Sequence, residues 1–134
     1  MATQLTADFN SYIKNVSATQ AYLLTGTTPP FIGGLVQLDA AGTAVAASGA
    51  SALQIVGRAA QLSPDGLSIS CEEGDVFMNL DGSNPPVQAT VGKKVYATSD
   101  HEVGIVAGTA AVAGILVALQ DGGALVRVSL TASR

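Results

Sequence analysis

The chain has 134 residues and a net charge of −4, with 48% apolar, 4% aromatic and 12% charged residues. One domain is the expectation at this length, and because the apolar share is mostly alanine and valine, its core is expected to be thin and to lean on sheet pairing and on neighbouring subunits. The few lysines and arginines are scattered, Lys93-Lys94 being the only adjacent pair, which excludes the basic cluster that direct nucleic-acid binding needs.

The opening MATQLTADFN has neither a basic nor an apolar signal region, so no secretory signal is expected and synthesis in a cytoplasm follows. Residues 1–30 read as an N-terminal arm or short helix, set apart from a β domain over residues 31–134. Thr6-Ala7-Asp8 can cap a helix that carries Phe9, Ile13, Val16 and Gln20 along one face with Tyr12 beside them, and an extended arm fits the same residues. Phe9, Tyr12 and Tyr22 lie in this segment and Phe31 just after it, leaving only Phe77 and Tyr96 elsewhere. Large rigid rings on a terminal segment are natural anchors for a partner, so Phe9, Tyr12, Ile13, Tyr22 and Phe31 are the candidate interface residues. Folding back onto their own domain is the competing expectation. Thr27-Thr28-Pro29-Pro30 reads as a hinge, since each proline restricts its predecessor and removes an amide donor.

From residue 33 onward short apolar runs alternate with glycine and polar turns. Residues 33–60 and the stretch from Gly92 share a plan of glycine, strand, polar turn, strand, loose Ala/Gly/Ser loop and apolar-glycine strand. Gly33 matches Gly92, Val36 matches Val95, Val45 matches Val103, Ile55 matches Val112 and Gly57 matches Gly114, with two single-residue deletions. Between the halves, Ser63-Pro64-Asp65-Gly66 reads as a turn, Leu67 to Cys71 as a strand, Glu72-Glu73-Gly74 as a turn, and Asp75 to Leu80 as a strand closed by the loop Asp81 to Pro86. The last strand alternates, Val126, Val128 and Leu130 facing one way and Leu125, Arg127 and Ser129 the other. The fold class is mainly β, a small β-barrel or sandwich built from two similar β units. A rival for Val103 to Leu119 is a membrane span, which needs about 20 apolar residues; Gly104, Gly108 and Gly114 and the absence of flanking Lys or Arg oppose it.

No chemistry-bearing constellation stands out. Cys71 sits in register with apolar positions and reads as a buried structural thiol. His101 reads as a solvated turn histidine in Ser99-Asp100-His101-Glu102, without a nucleophile signature beside it. One Cys and one His do not make a usual zinc site, and Glu72, Glu73 and Asp75 lack the spacing of a calcium loop. Gly92-Lys93-Lys94 lacks the remainder of a phosphate loop. Asp100 with Glu102, and the Asn15-Val16-Ser17 sequon, read as ordinary surface features. No catalytic residue, cofactor or metal is expected, and a structural or binding role is.

The glycine followed by a valine-tyrosine strand (Gly92 to Tyr96), the polar turn (Ser99 to Glu102), the apolar-glycine strand (Gly114 to Ala118) and the closing alternating strand (Leu125 to Leu130) resemble small glycine- and alanine-rich phage capsid decoration proteins, also called cement or head-stabilisation proteins. The resemblance covers the second half and, through the repeat, part of the first. It implies a compact β domain, a homotrimer, and docking on the major capsid protein at the exterior of a virion, with no direct nucleic acid, membrane or cofactor. A tail, baseplate or fibre-associated β module shares these features, and a membrane-associated protein using Val103 to Leu119 is the remaining alternative.

Overall fold

The structure is a computed structural model and describes residues 5, 8–9, 11–24, 29–49 and 54–128. The Thr6-Ala7 cap, Thr27-Thr28 and the Ser129-Leu130 end of the closing strand lie outside the described residues. Nine strands form one sheet system among them: β1 (Ile13–Leu23), β2 (Leu35–Leu38), β3 (Ala44–Ala46), β4 (Ile55–Leu62), β5 (Ser68–Leu80), β6 (Lys94–Ala97), β7 (Glu102–Gly104), β8 (Val112–Gln120) and β9 (Gly123–Val128). A single 3-10 turn at Gln88–Thr90 precedes β6.

β5 belongs to two rings. Its C-terminal half pairs with β9 on one edge and, at Asn79 and Leu80, with β7 on the other; with β6 and β8 these close a five-stranded barrel. Its N-terminal half pairs with β4 on one edge and β1 on the other, and β4 continues to β2 and β3. A single parallel bridge from Leu24 to Ala44 joins the two ends of this second circuit.

The two units repeat each other ladder by ladder. Val36 opposite Gly57 and Gln37 opposite Ile55, with a register shift between, recur as Val95 opposite Gly114 and Tyr96 opposite Val112, with the same shift. The pairs Arg58–Glu72, Ala59–Cys71, Gln61–Ser70 and Leu62–Ile69 recur as Ile115–Arg127, Leu116–Val126, Ala118–Leu125 and Leu119–Ala124, again with a bulge at the same place. β1 plays toward the first unit the part that the end of β5 plays toward the second: Tyr22–Ile69 and the Leu24–Ala44 bridge correspond to Met78–Ala124 and Leu80–Val103. Two similar β units therefore make the fold. One match needs correction. Leu38–Ala44 and Ala97–Val103 are the equivalent pairs, so Val103 answers to Ala44 and not to Val45. Side chains alternate across a strand, and a one-residue slip would have turned Val103 out of the core; Ala44 and Val103 are both buried.

Each unit has its own interior. Val36, Ala44, Val56, Ala59, Ile69 and Cys71 pack with Tyr22, Leu24, Ile32 and Leu38 in the first. Their counterparts Val95, Val103, Ala113, Leu116, Ala124 and Val126, with Met78, Leu80, Val91 and Ala97, lie in the cluster of the second.

Two local expectations change. Glu72-Glu73-Gly74 is not a turn, because β5 runs through it without a break, held by partners on both edges. Gly74 is needed there for close approach: a Cβ on it would lie 2.9 Å from the Lys14 carbonyl, where β1 bulges and Asn15 takes φ 53. The stretch from Ile13 to Leu23 is a strand and not a helix, and it runs antiparallel along β5, so the described part of residues 1–30 joins the β domain instead of standing apart; Pro30 is buried at the supposed hinge. Val103 to Leu119 folds as β7, a loop and β8, and no helix among the described residues is long and apolar enough to cross a membrane.

Gly57 and Gly114 sit at equivalent crossings where the facing strand presents a carbonyl, Glu72 and Arg127 respectively. An added methyl at Gly114 overlaps the Arg127 carbonyl, so Gly114→Ala is expected to cost about 1–3 kcal/mol. Gly82 has open space around it, and Gly82→Ala is expected to stay within about 0.5 kcal/mol of the parent. Thermal melts of the two variants check both expectations.

Candidate interaction surfaces

The N-terminal segment is built into the seam between the units. The Phe9 amide donates to the Ile32 carbonyl at 2.8 Å, and the Ile32 amide donates to Asp8 Oδ1 at 3.0 Å. Ser11 Oγ donates to the Gly33 carbonyl at 2.9 Å and accepts from Arg58 Nε at 2.7 Å, while Arg58 also meets Glu72 at 3.3 Å. The Phe9 ring stands 5.5 Å from the His101 ring. Tyr12 stacks on Phe77 at 5.0 Å; its hydroxyl donates to Asp121 and accepts from Gln120, both at 2.7 Å. The bond from Gln120 pulls the phenol pKa down, but the bond and charge of Asp121, with partial desolvation, outweigh it and hold the group above its ordinary value.

Of the proposed anchors, Phe9 and Ile13 pack against the second unit's core, Tyr22 against the first, and Tyr12 on Phe77. Phe31 is half-buried at the turn that leads into β2, where its carbonyl accepts from Gly34. Tyr12 lies with Phe77 on the face of β5 opposite to the buried Val76 and Met78, while Ile13 and Tyr22, paired with Val76 and Ile69, lie over the chain's own core. Between them, Asn15 to Ala21 is exposed on both faces, held by main-chain bonds. Tyr12→Ala should lose the aromatic pair and the packing of a half-buried ring together, read as a lower melting temperature of the isolated chain.

The turn Thr98 to His101 completes the seam. The Leu35 amide donates to the Asp100 carbonyl at 2.6 Å, and Asp100 Oδ1 accepts from the Leu5 amide at 3.0 Å and faces His101 Nδ1 at 3.1 Å. Ser99 and Asp100 are each 1% exposed. His101 is thus a partly buried seam residue and not a solvated one. Cys71 lies inside the first unit, and burial pushes its thiol up to about 12. No cluster of three or more metal-ligating side chains occurs among the described residues.

Asp75, at the middle of β5, has a structural task that its spacing from Glu72 and Glu73 does not signal. It accepts from Arg127 Nε at 2.9 Å and from Asn15 Nδ2 at 3.0 Å. The Arg127 bond, chiefly, holds its pKa below the usual carboxylate range against the cost of burial. A depressed folded-state pKa means stability that is fully present above the unfolded value of about 3.9 and is lost as pH falls through the folded value. Arg127 is 61% exposed, so solvent screens the pair. Asp75→Asn is expected to cost about 1 kcal/mol at neutral pH, and the gap to the parent should narrow below pH ~4 in acid titrations of the melt.

Two surface regions remain open. At one hairpin end Leu23, Leu62 and Leu67 are 67%, 38% and 63% exposed; the pairing of Leu62 with Ile69 and of Leu23 with Ser68 puts Leu62 on the core-side face of that end and Leu23 on the other. On the second unit a groove of about 670 Å³ is lined by Thr90, Gly92, Lys93, Lys94, Tyr96 and Ile105, with Val106 beside it 53% exposed. Neither region was singled out from sequence; Leu62 and Leu67 flank a turn motif, and only the pairing shows that Leu23 ends at the same turn. Comparison with known proteins finds no family model, no curated protein and no solved structure that matches the chain.

Proposed function

We propose that the chain is a structural virion protein that docks, as a homotrimer, on the outer surface of a phage capsid and stabilises the shell. The observation that carries the reading is that three large aliphatic side chains, Leu23, Leu62 and Leu67, stand exposed at one end of the sheet system. Large aliphatic side chains gathered in water mark a surface meant to be covered. The resemblance of Gly92 to Tyr96, Ser99 to Glu102, Gly114 to Ala118 and Leu125 to Leu130 to decoration proteins supplies the class of partner. Each leucine contributes about 1.5–3 kcal/mol when buried, and repetition over a shell multiplies weak contacts into avidity. A passive clamp needs no catalytic group, in keeping with the structural uses to which Asp75, Asp100 and His101 are put.

The test is binding to undecorated heads. The full chain should co-sediment with heads and raise their resistance to heat. Leu67→Asp should weaken binding at least tenfold, in line with the loss of one buried leucine, while the free variant melts as the parent does because the position is exposed. A parent chain that leaves heads unbound sinks the proposal, and co-purification with tails moves the assignment to a tail or baseplate module.

A further inference from the structure

The duplication shows how one unit covers another, and it leaves both halves of that contact repeated elsewhere. On the first unit the covered side is Leu35, Ala47 and Ile55, all fully buried in the second unit's cluster. On the second unit the covering element is the turn Thr98 to His101, whose Asp100 carbonyl accepts from Leu35.

The counterparts follow from the main-chain bonds. Gly33 donates to Ala59 as Gly92 does to Leu116, Gly34 to Phe31 as Lys93 does to Thr90, and Asp39 to Thr43 as Thr98 does to Glu102. Leu35 therefore answers to Lys94 and Ile55 to Val112; Val106 stands where Ala47 does by count from the Ala44–Val103 match, past the point where the Ile105 amide turns to the Asn84 carbonyl while Ala46 pairs with Val36. Asp100 answers to Ala41. Lys94 and Val106 are exposed and Val112 half-buried; Ala40, Ala41 and Gly42 are exposed, and a Cβ on Gly42 would meet nothing within 4 Å. The side that is covered in the first unit is thus open in the second, and the turn that covers in the second is open in the first. The groove beside Lys94 occupies the place where, on the first unit, Phe9 and Ser11 bond to Ile32 and Gly33. The open turn begins with Asp39, whose carboxylate accepts from the Ala41 and Thr43 amides and the Thr43 hydroxyl and gives the turn a negative charge, and the open face carries Lys93 and Lys94.

We infer that the Lys94, Val106 and Val112 face of one copy is the docking surface for the Asp39 to Thr43 turn of a second copy, a head-to-tail contact that continues the internal seam between units. Contacts of this kind are heterologous: each copy offers one face and one turn, and assembly grows until the ring closes. The inference rests on the duplication and gives the trimer of the preceding reading its subunit contact; a shell is not required for it.

The experiment is sedimentation of the free full chain over a micromolar to millimolar range, with two surface variants. The parent should show a mass that rises with concentration to a multiple of 13.4 kDa. Val106→Asp and Ala41→Arg should each remain monomeric and melt with the parent. Mixed in equal amounts, they should give dimers and nothing larger, because one intact face meets one intact turn. Lys94→Glu, at an exposed position on the same face, replaces Val106→Asp if that variant misfolds. A parent monomeric throughout, variants that keep the parent's mass, or association abolished at the face but untouched by Ala41→Arg would each overturn the inference, the last pointing to a symmetric face-to-face dimer. Loss of head binding with self-association intact would count only against the shell reading.

Discussion

Thirteen residues of β5 have to find hydrogen-bond partners on both edges, and no small barrel is long enough to supply them all. Buried amides and carbonyls left unpaired cost as much as lost hydrogen bonds, so the strand leaves one ring and enters another. β4 gives way to β9 along one edge, and β1 gives way to β7 along the other. The placement of the two units, the bulge of β1 at Asn15, the need for Gly74 and the burial of Asp75 beside Arg127 all follow from this handover.

The duplicated interiors are filled differently but to similar effect. Where the second unit has Leu116 and Val126, the first has Ala59 and Cys71; where the second has Ala124 and Ala113, the first has Ile69 and Val56. Large and small residues change places across the barrel, which keeps volume nearly constant and lets one backbone plan carry two sequences. The second unit's cluster also takes in Leu35, Ala47 and Ile55 from the first, so the larger core spans the seam and ties the units into one body.

That seam uses the groups that most resemble chemistry. Asp100, His101, Ser99 and Arg58 are committed to holding the N-terminal segment and the turn between units, with the Asp100 carboxylate bonded to the Leu5 amide. Their burial reflects a structural task, and large apolar side chains are left exposed at Leu23, Leu62 and Leu67 and at Ile105 and Val106.

Strand and turn chemistry, the mainly β class and the duplication were legible in the residues, because alternation with a period of two and glycine at crossings are local signals. Gly57 and Gly114 marked equivalent places without any coordinates. What the residues left open was which edges meet. Glu72-Glu73-Gly74 has the local chemistry of a turn, and only partners on both sides keep it extended. Val45 and Ala44 compete for the match to Val103, since alanine and valine differ little as signals, and the ladder alone chose Ala44. The N-terminal segment suited a helix or an arm by its spacing, and the free edge of β5 made it a strand, turning Ile13 and Tyr22 onto the chain's own core and Tyr12 onto the Phe77 ring. Local sequence set the elements; long-range pairing, whose energy depends on residues far apart in the chain, decided their partners and so decided which side chains were left for other molecules.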